Sequence, residues 1–245
     1  MPARPEGKPR PEPVPLTAED EAAVGEFYRF LAHDEETEIR LINAKHRYAK
    51  PPILFLHSEE EFLEAVRAHN GVREIYAGWA ERTPGGTHTS DVRRATLLPL
   101  DLDTQEGAEA TTEDVLALAE ALRVWAEDEG FETPSRVLSG NGVHLYWAIP
   151  PVEFATTEER TRFSRGLAAF VDFLNAQFAD VMPGVEVDPQ VKDLARLMRV
   201  PGTLNLKNPA VPKLTAVVDP LERREDPQLL EYVLGLAGQR ELRAR

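Results

Sequence analysis

The segment Leu97–Gln105, LLPLDLDTQ, sets Asp101 and Asp103 two residues apart at the end of an apolar run. In a strand, residues i and i+2 project from one face, so both carboxylates converge on one point. Two carboxylates held together repel and raise each other's pKa unless a cation lies between them, and hard oxygen donors suit Mg2+ or Mn2+. A polar strand end whose acids merely cap the next turn fits the same two residues. A third acid, Asp188, ends the short apolar stretch GVEV and precedes Pro189, well placed to join such a site from a second strand.

Positive charge follows directly. Lys192, Arg196 and Arg199 are spaced four and three apart, so they share one face if Pro189 opens a helical turn. Beside a metal site, that face suits a triphosphate, with metals on the phosphate oxygens and guanidinium forks on the far end. For Lys192 a solvated face paired with Asp193 and Glu186 is the alternative; the two arginines flank Leu197 and Met198 and are expected to be partly buried. Between the acids lies SGNGVH, Ser139–His144, at a turn between SRVLS and VHLYWAI. The hairpin is expected to align Ser139 with His144, while Gly140, Asn141 and Gly142 leave the backbone open to a ligand. The hydroxyl, the imidazole and the free amides would meet a phosphate. An ordinary hairpin with a structural histidine fits as well.

Composition restricts the setting. The chain has 245 residues, 42% of them hydrophobic and 29% charged, with no cysteine and a formal net charge of −14. No disulfide or thiolate metal site can form, and no run approaches the ~18 apolar residues of a membrane span. The N-terminal stretch, MPARPEGKPRPEPVP, has no apolar segment suited to a signal peptide, so a cytoplasmic protein is expected. The net charge argues against broad nucleic-acid affinity. Yet 39–52 carries Arg40, Lys45, Arg47 and Lys50 with no acid, and 196–213 is likewise acid-free.

The elements that must position these residues mix without a strict β-α-β-α rhythm, which favours an α+β fold. Residues 1–16 are proline-rich and predicted to be a disordered tail. Thr17 opens a helix, TEIRLIN and ILFL read as strands, Ser58 caps a helix and REIYAGWA is a strand. The stretch 81–93 reads as a loop and RATLLPLDLD as a buried strand. Long helices are expected from Thr111 or Thr112 through Glu129 and over about 157–178. KLTAVV reads as a further strand, and a final helix near 227–236 follows.

Taken in order, LDLD, SGNGVH and VDPQVKDLARLMRVPGTLNLKN resemble the three signatures of the archaeo-eukaryotic primase superfamily, specifically its primase-polymerase branch. The likeness covers roughly 17–218, with its sharp matches between 100 and 207. It implies an N-terminal α/β module over about 17–93, an RRM-like antiparallel sheet over 94–220 with the active site in the cleft between them, and a C-terminal helix and tail over 221–245. Asp101, Asp103 and Asp188 would then bind two divalent ions, Mg2+ or Mn2+. Ser139, Gly140, Asn141, Gly142, His144, Lys192, Arg196 and Arg199 would hold an NTP or dNTP.

The implied reaction is attack of a primer 3′-hydroxyl on the α-phosphate, templated by single-stranded DNA. Arg40, Lys45, Arg47, Lys50 and Arg82 are the expected template contacts, and a replicative helicase is a candidate partner. The lack of cysteine removes the zinc element some members carry, and with no accessory domain after the core, primer extension is better supported than priming from nothing. Two other classes compete: a replication-initiator module that binds without polymerising, and a metal-dependent nuclease. Three convergent carboxylates argue against the first, and a lone Tyr146 supports the second thinly.

Overall fold

The computed structural model describes residues 12–43 and 50–243, with side chains to residue 238. The elements run α1 (Ala18–Leu31), β1 (Thr37–Ile42), β2 (Ile53–Leu56), α2 (Glu59–His69), β3 (Glu74–Gly78), β4 (Glu81–Arg82) and β5 (Val92–Thr104). Then come α3 (Thr112–Asp128), β6 (Ser135–Leu138), β7 (Val143–Glu153), α4 (Thr157–Phe178), β8 (Val185–Val187) and β9 (Leu197–Arg199). β10 (Leu204–Asn205), β11 (Lys213–Leu214), β12 (Ala216–Val217) and α5 (Pro227–Arg243) complete the chain. Among the described residues no helix is long and apolar enough to cross a membrane.

Helices begin where a hydroxyl can answer the free N–H groups of the first turn. Thr17, Thr111 and Thr156 accept from the amides of Asp20, Asp114 and Glu159, whose carboxylates bond back to the cap, and Ser58 accepts from Glu61. These are the starts the sequence pattern predicts.

β5 is the axis of the larger sheet. β7 pairs along it from Arg94↔Glu153 to Leu102↔Val143, while β4 and β8 take its other edge at the start and the end. β6 and then β12 extend the sheet beyond β7. The succession β5-α3-β6-β7-α4-β8, with strands ordered β8-β5-β7-β6 and all antiparallel, is the β-α-β-β-α-β arrangement of RRM-like folds. The expected α+β architecture is therefore present.

Strand alternation sorts the two faces of this sheet. Leu98, Leu100 and Leu102 point the same way as Trp147, Leu145 and Val143, toward α3 and α4, where Trp147 meets Phe170 edge-on at 6.3 Å. Asp101, His144 and Tyr146 point the other way, and there α1 lays Phe27 and Phe30 against the Tyr146 ring at 6.1 and 5.9 Å. With apolar cover on both sides, each buried Leu or Phe contributes about 1.5–3 kcal/mol. Asp101 is thus anchored on a strand that cannot shift register without exposing its core face.

A second antiparallel sheet, β2-β1-β3-β9, faces this side. Its last strand comes from far along the chain, because Leu197, Met198 and Arg199 pair with Gly78, Ala77 and Tyr76. The sheets therefore do not divide at residue 93: β4 belongs to the larger sheet and β9 to the smaller. Other local differences are small. The stretch 81–93 contains β4 and a helical turn at Thr89–Asp91, and KLTAVV splits into β11 and β12, which pair with different partners. The tail expected through residue 16 is packed at its inner end, where Val14 N–H donates to the Asn70 carbonyl (2.9 Å) and the Asn70 amide donates back (3.0 Å). Residues 1–11 of that tail lie outside the described residues.

His33, two residues past α1, sits between the Trp79 carbonyl (Nε2, 3.4 Å) and the Thr37 hydroxyl (Nδ1, 3.2 Å). Burial pulls its pKa from 6.5 down to about 4, against the opposing pull of Glu81. Between those values the unfolded chain binds a proton that the native protein does not, so His33's contribution to stability falls as pH drops through that window. In urea unfolding, His33→Gln should therefore gain on wild type as pH falls from 6.5 to 4, with a constant difference above that range.

Candidate active site

A cleft of about 770 Å³ separates the two sheets. Asp101, Asp103 and Asp188 line it together with Ser139, Asn141 and His144. Arg196 and Arg199 close one side, and Arg40 and Tyr76 of the smaller sheet stand opposite the acids.

Strand pairing gathers the carboxylates. Asp101 and Asp103 share one face of β5, and β8 pairs with its end, so that Asp188 N–H donates to the Asp101 carbonyl at 2.7 Å. Asp188 Oδ1 accepts from Gln190 N–H (2.8 Å) and caps the helical turn Pro189–Lys192. Its Oδ2 accepts from Arg196 Nη2 at 2.5 Å, and the same nitrogen is 3.4 Å from Asp101 Oδ2. Arg196 Nη1 donates to Gln190 Oε1 at 2.9 Å. Asp103 is in register with Glu186, which lines the cleft together with Glu106 and Asp193.

His144 is 5% exposed, with Nε2 3.5 Å from Asp101 Oδ1 and Nδ1 3.3 Å from the Tyr146 hydroxyl. Burial lowers its pKa, more than Asp101 raises it, so the ring is neutral at neutral pH. A carboxylate facing Nε2 places the one N–H there, and Nδ1 accepts from Tyr146. The imidazole thus presents a fixed donor to the cleft.

The SGNG turn forms as expected, but its glycines answer to the chain itself. Gly140 has φ +97°, and a Cβ on it would lie 2.8 Å from Asn205 Cβ; a Cβ on Gly142 would lie 2.2 Å from the Leu102 carbonyl oxygen. Neither glycine lines the cleft, whereas Ser139 and Asn141 do. Val137, not Ser139, stands opposite His144. Asn205 braces the turn by donating to the Ser139 carbonyl at 2.7 Å, and it lines the cleft with Lys207; both fall within the third signature, VDPQVKDLARLMRVPGTLNLKN.

The basic residues separate more than their spacing suggests. Only a short helical turn follows Asp188, and β9 is extended, so Lys192, Arg196 and Arg199 share no helical face. Lys192 is exposed and does not line the cleft. Arg199 is buried on the smaller sheet, bonded to Glu74 (3.0 Å) and the Tyr76 hydroxyl (2.5 Å), with its guanidinium 4.5 Å from the Tyr76 ring centre. Its Nη1 has no hydrogen-bond partner among the described residues. Arg82 is buried, ion-paired with Glu38 and bonded to the Ala195 carbonyl (2.9 Å), so it is an internal tie with no surface for a template strand. Arg40 reaches the cleft while bonded to Glu38 and to the Thr87 carbonyl (2.8 Å). Lys50 is exposed outside it, and Lys45 and Arg47 lie outside the described residues.

The acids fit a hard divalent cation by donor type. Among the described residues no three His, Cys, Asp or Glu side chains stand in metal-holding array, and a guanidinium lies between Asp101 and Asp188.

The turn carries a direct test. Gly142→Ala should lower the unfolding free energy by about 1–3 kcal/mol, because the Leu102 backbone must move, while Asn141→Ala should be nearly neutral in the same denaturant titration.

No protein-family model and no curated protein matches the chain. Solved structures do match. The primase-polymerase domain of cyanophage S-2L superposes with a TM-score of 0.59 at 14% identity, over 89% of this chain and all (100%) of that one. The catalytic domain of primase RepB′, solved with initiator DNA, gives 0.55 at 12% identity, over 92% and 97%. The polymerase domain of Mycobacterium tuberculosis ligase D, solved with DNA, gives 0.50 at 17% identity, over 94% and 96%. The chain therefore has the fold of the archaeo-eukaryotic primase catalytic domains.

Proposed function

We propose that the protein is a template-dependent nucleotidyltransferase that makes or extends primers from NTPs or dNTPs on single-stranded DNA. The observation that carries this reading is the convergence of Asp101, Asp103 and Asp188 with His144, Arg196 and Arg199 in one cleft of this fold. The DNA present in two of the similar structures supports a nucleic-acid substrate.

Asp101, Asp103 and Asp188 would hold Mg2+ or Mn2+, which when bound activates the 3′-hydroxyl and offsets charge on the phosphates. His144 would offer its Nε2–H as a hydrogen-bond donor to a phosphate oxygen without carrying charge. Arg196 offers a forked pair of donors, and Arg199 adds positive charge from the opposite wall. Ser139 and Asn141 present a hydroxyl and an amide at the mouth of the turn. Arg40 and Tyr76, which line the cleft from the smaller sheet, would meet the templating strand. The net charge of −14 disfavours non-specific binding of DNA to the rest of the surface.

The test uses Mn2+ or Mg2+, a single-stranded template, labelled nucleotides, and reactions with and without primer. Wild type should yield product, and Asp101→Asn, Asp103→Asn and Asp188→Asn should each lose at least about a hundredfold in rate. Absence of product from wild type, or equal product from the three variants, would end this reading. Template and nucleotide binding without product would instead favour an initiator-type module. His144→Ala should weaken nucleotide affinity about tenfold, or about 1.4 kcal/mol, by titration, while leaving Mn2+ affinity nearly unchanged.

A further inference from the structure

Arg196 stands where two of the acids would otherwise meet unbalanced. Its Nη2 is 2.5 Å from Asp188 Oδ2 and 3.4 Å from Asp101 Oδ2, and its other terminal nitrogen is held by Gln190 at 2.9 Å. All three side chains are partly shielded, at 28%, 21% and 23% exposure for Arg196, Asp101 and Asp188. Charges so placed interact more strongly than surface pairs do. Asp103 and Glu186 add further negative charge to the same cleft.

The backbone of Arg196 is fixed. Its N–H donates to the Asp193 carbonyl (2.8 Å), Asp193 Oδ1 accepts from Ala195 N–H (3.0 Å), and Leu197 begins β9. The side chain is bonded only at its tip, to groups on the cleft wall, so the guanidinium can leave while the backbone stays. Arg199 differs: it is buried against Glu74 and Tyr76 and has no contact with the three acids.

We propose that Arg196 is a latch shared between the two ligands of this site. In the free protein it serves as the counter-ion of Asp101 and Asp188, and it turns to the phosphates only when a divalent cation takes its place. The proposal rests on the polymerase reading of the cleft. A cation arriving alone must displace the guanidinium, and a triphosphate arriving alone must draw it from two carboxylates. When both arrive, each removes the competitor of the other, so their affinities are coupled and the coupling is reciprocal.

The test measures each ligand without the other. Mn2+ binding, followed by loss of the free-ion electron paramagnetic resonance signal without nucleotide, should be at least about tenfold tighter in Arg196→Gln than in wild type. Arg40→Gln, which removes a cleft cation that does not touch the acids, should change it less than about twofold. Inorganic tripolyphosphate, titrated calorimetrically in EDTA, should bind Asp188→Asn several-fold tighter than wild type, because the carboxylate no longer holds the guanidinium. Circular dichroism checks that each variant is folded, and the Asp188→Asn arm stands if Arg196→Gln does not fold. Equal Mn2+ affinity in wild type and Arg196→Gln, equal gains in Arg196→Gln and Arg40→Gln, or unchanged tripolyphosphate binding in Asp188→Asn would overturn the latch and leave the metal-site reading intact. If no protein binds Mn2+, the reading of the site fails and the latch falls with it.

Discussion

The hydrogen bond from Asp188 N–H to the Asp101 carbonyl joins two distant parts of the chain at one point. It continues the β5–β8 ladder by one step, and that step sets the spacing of the acids, the start of the turn at Pro189 and the place where Arg196 enters the cleft. β5 can hold its end of this bond because leucines from the same strand fill the core between sheet and helices on its opposite face. The site is therefore a boundary condition on the packing: polar residues lie on one face of a strand and apolar residues register it from the other.

Charge is managed in the same spirit. Three buried carboxylates meet arginine: on the smaller sheet Glu38 meets Arg40 and Arg82 and Glu74 meets Arg199, and on β4 of the larger sheet Glu81 meets Arg93 and Arg94. Breaking such a pair by deleting one partner leaves an uncompensated buried charge, at a cost of about 3–5 kcal/mol. The Glu38 and Glu74 pairs hold the wall opposite the acids. They also consume arginines that a count of basic residues would assign to DNA, so this acidic protein has few cations free to act at a distance.

The acids, the hairpin, the caps and the long helix α4 were legible in the sequence because each is specified locally, by two-residue alternation, by glycines at a turn, or by a threonine followed three residues later by an acid. What was hidden depends on pairing across long separations. Nothing near Leu197 announces that it will pair with Gly78, so the spacing of Lys192, Arg196 and Arg199 suggested a helical face that does not exist. Arg82 looked like a surface cation in a polar loop until Glu38 and the Ala195 carbonyl enclosed it. The glycines of the SGNG turn signal a backbone open to a ligand, but what approaches them is Leu102 and Asn205 of the same chain. Tyr76 carried no signal beyond its strand.

β9 has one further consequence. Asp188 is fixed to the larger sheet and Leu197 to the smaller, so the chain between them spans the cleft like the arm of a caliper. Arg82 grips that arm near its far end through the Ala195 carbonyl. A chain of fixed contour length sets an upper limit to any gap it bridges, at about 3.3–3.6 Å per residue. The two walls therefore cannot draw apart beyond the contour length of this bridge, and the two-residue link from β3 to β4 ties the same sheets again at another point.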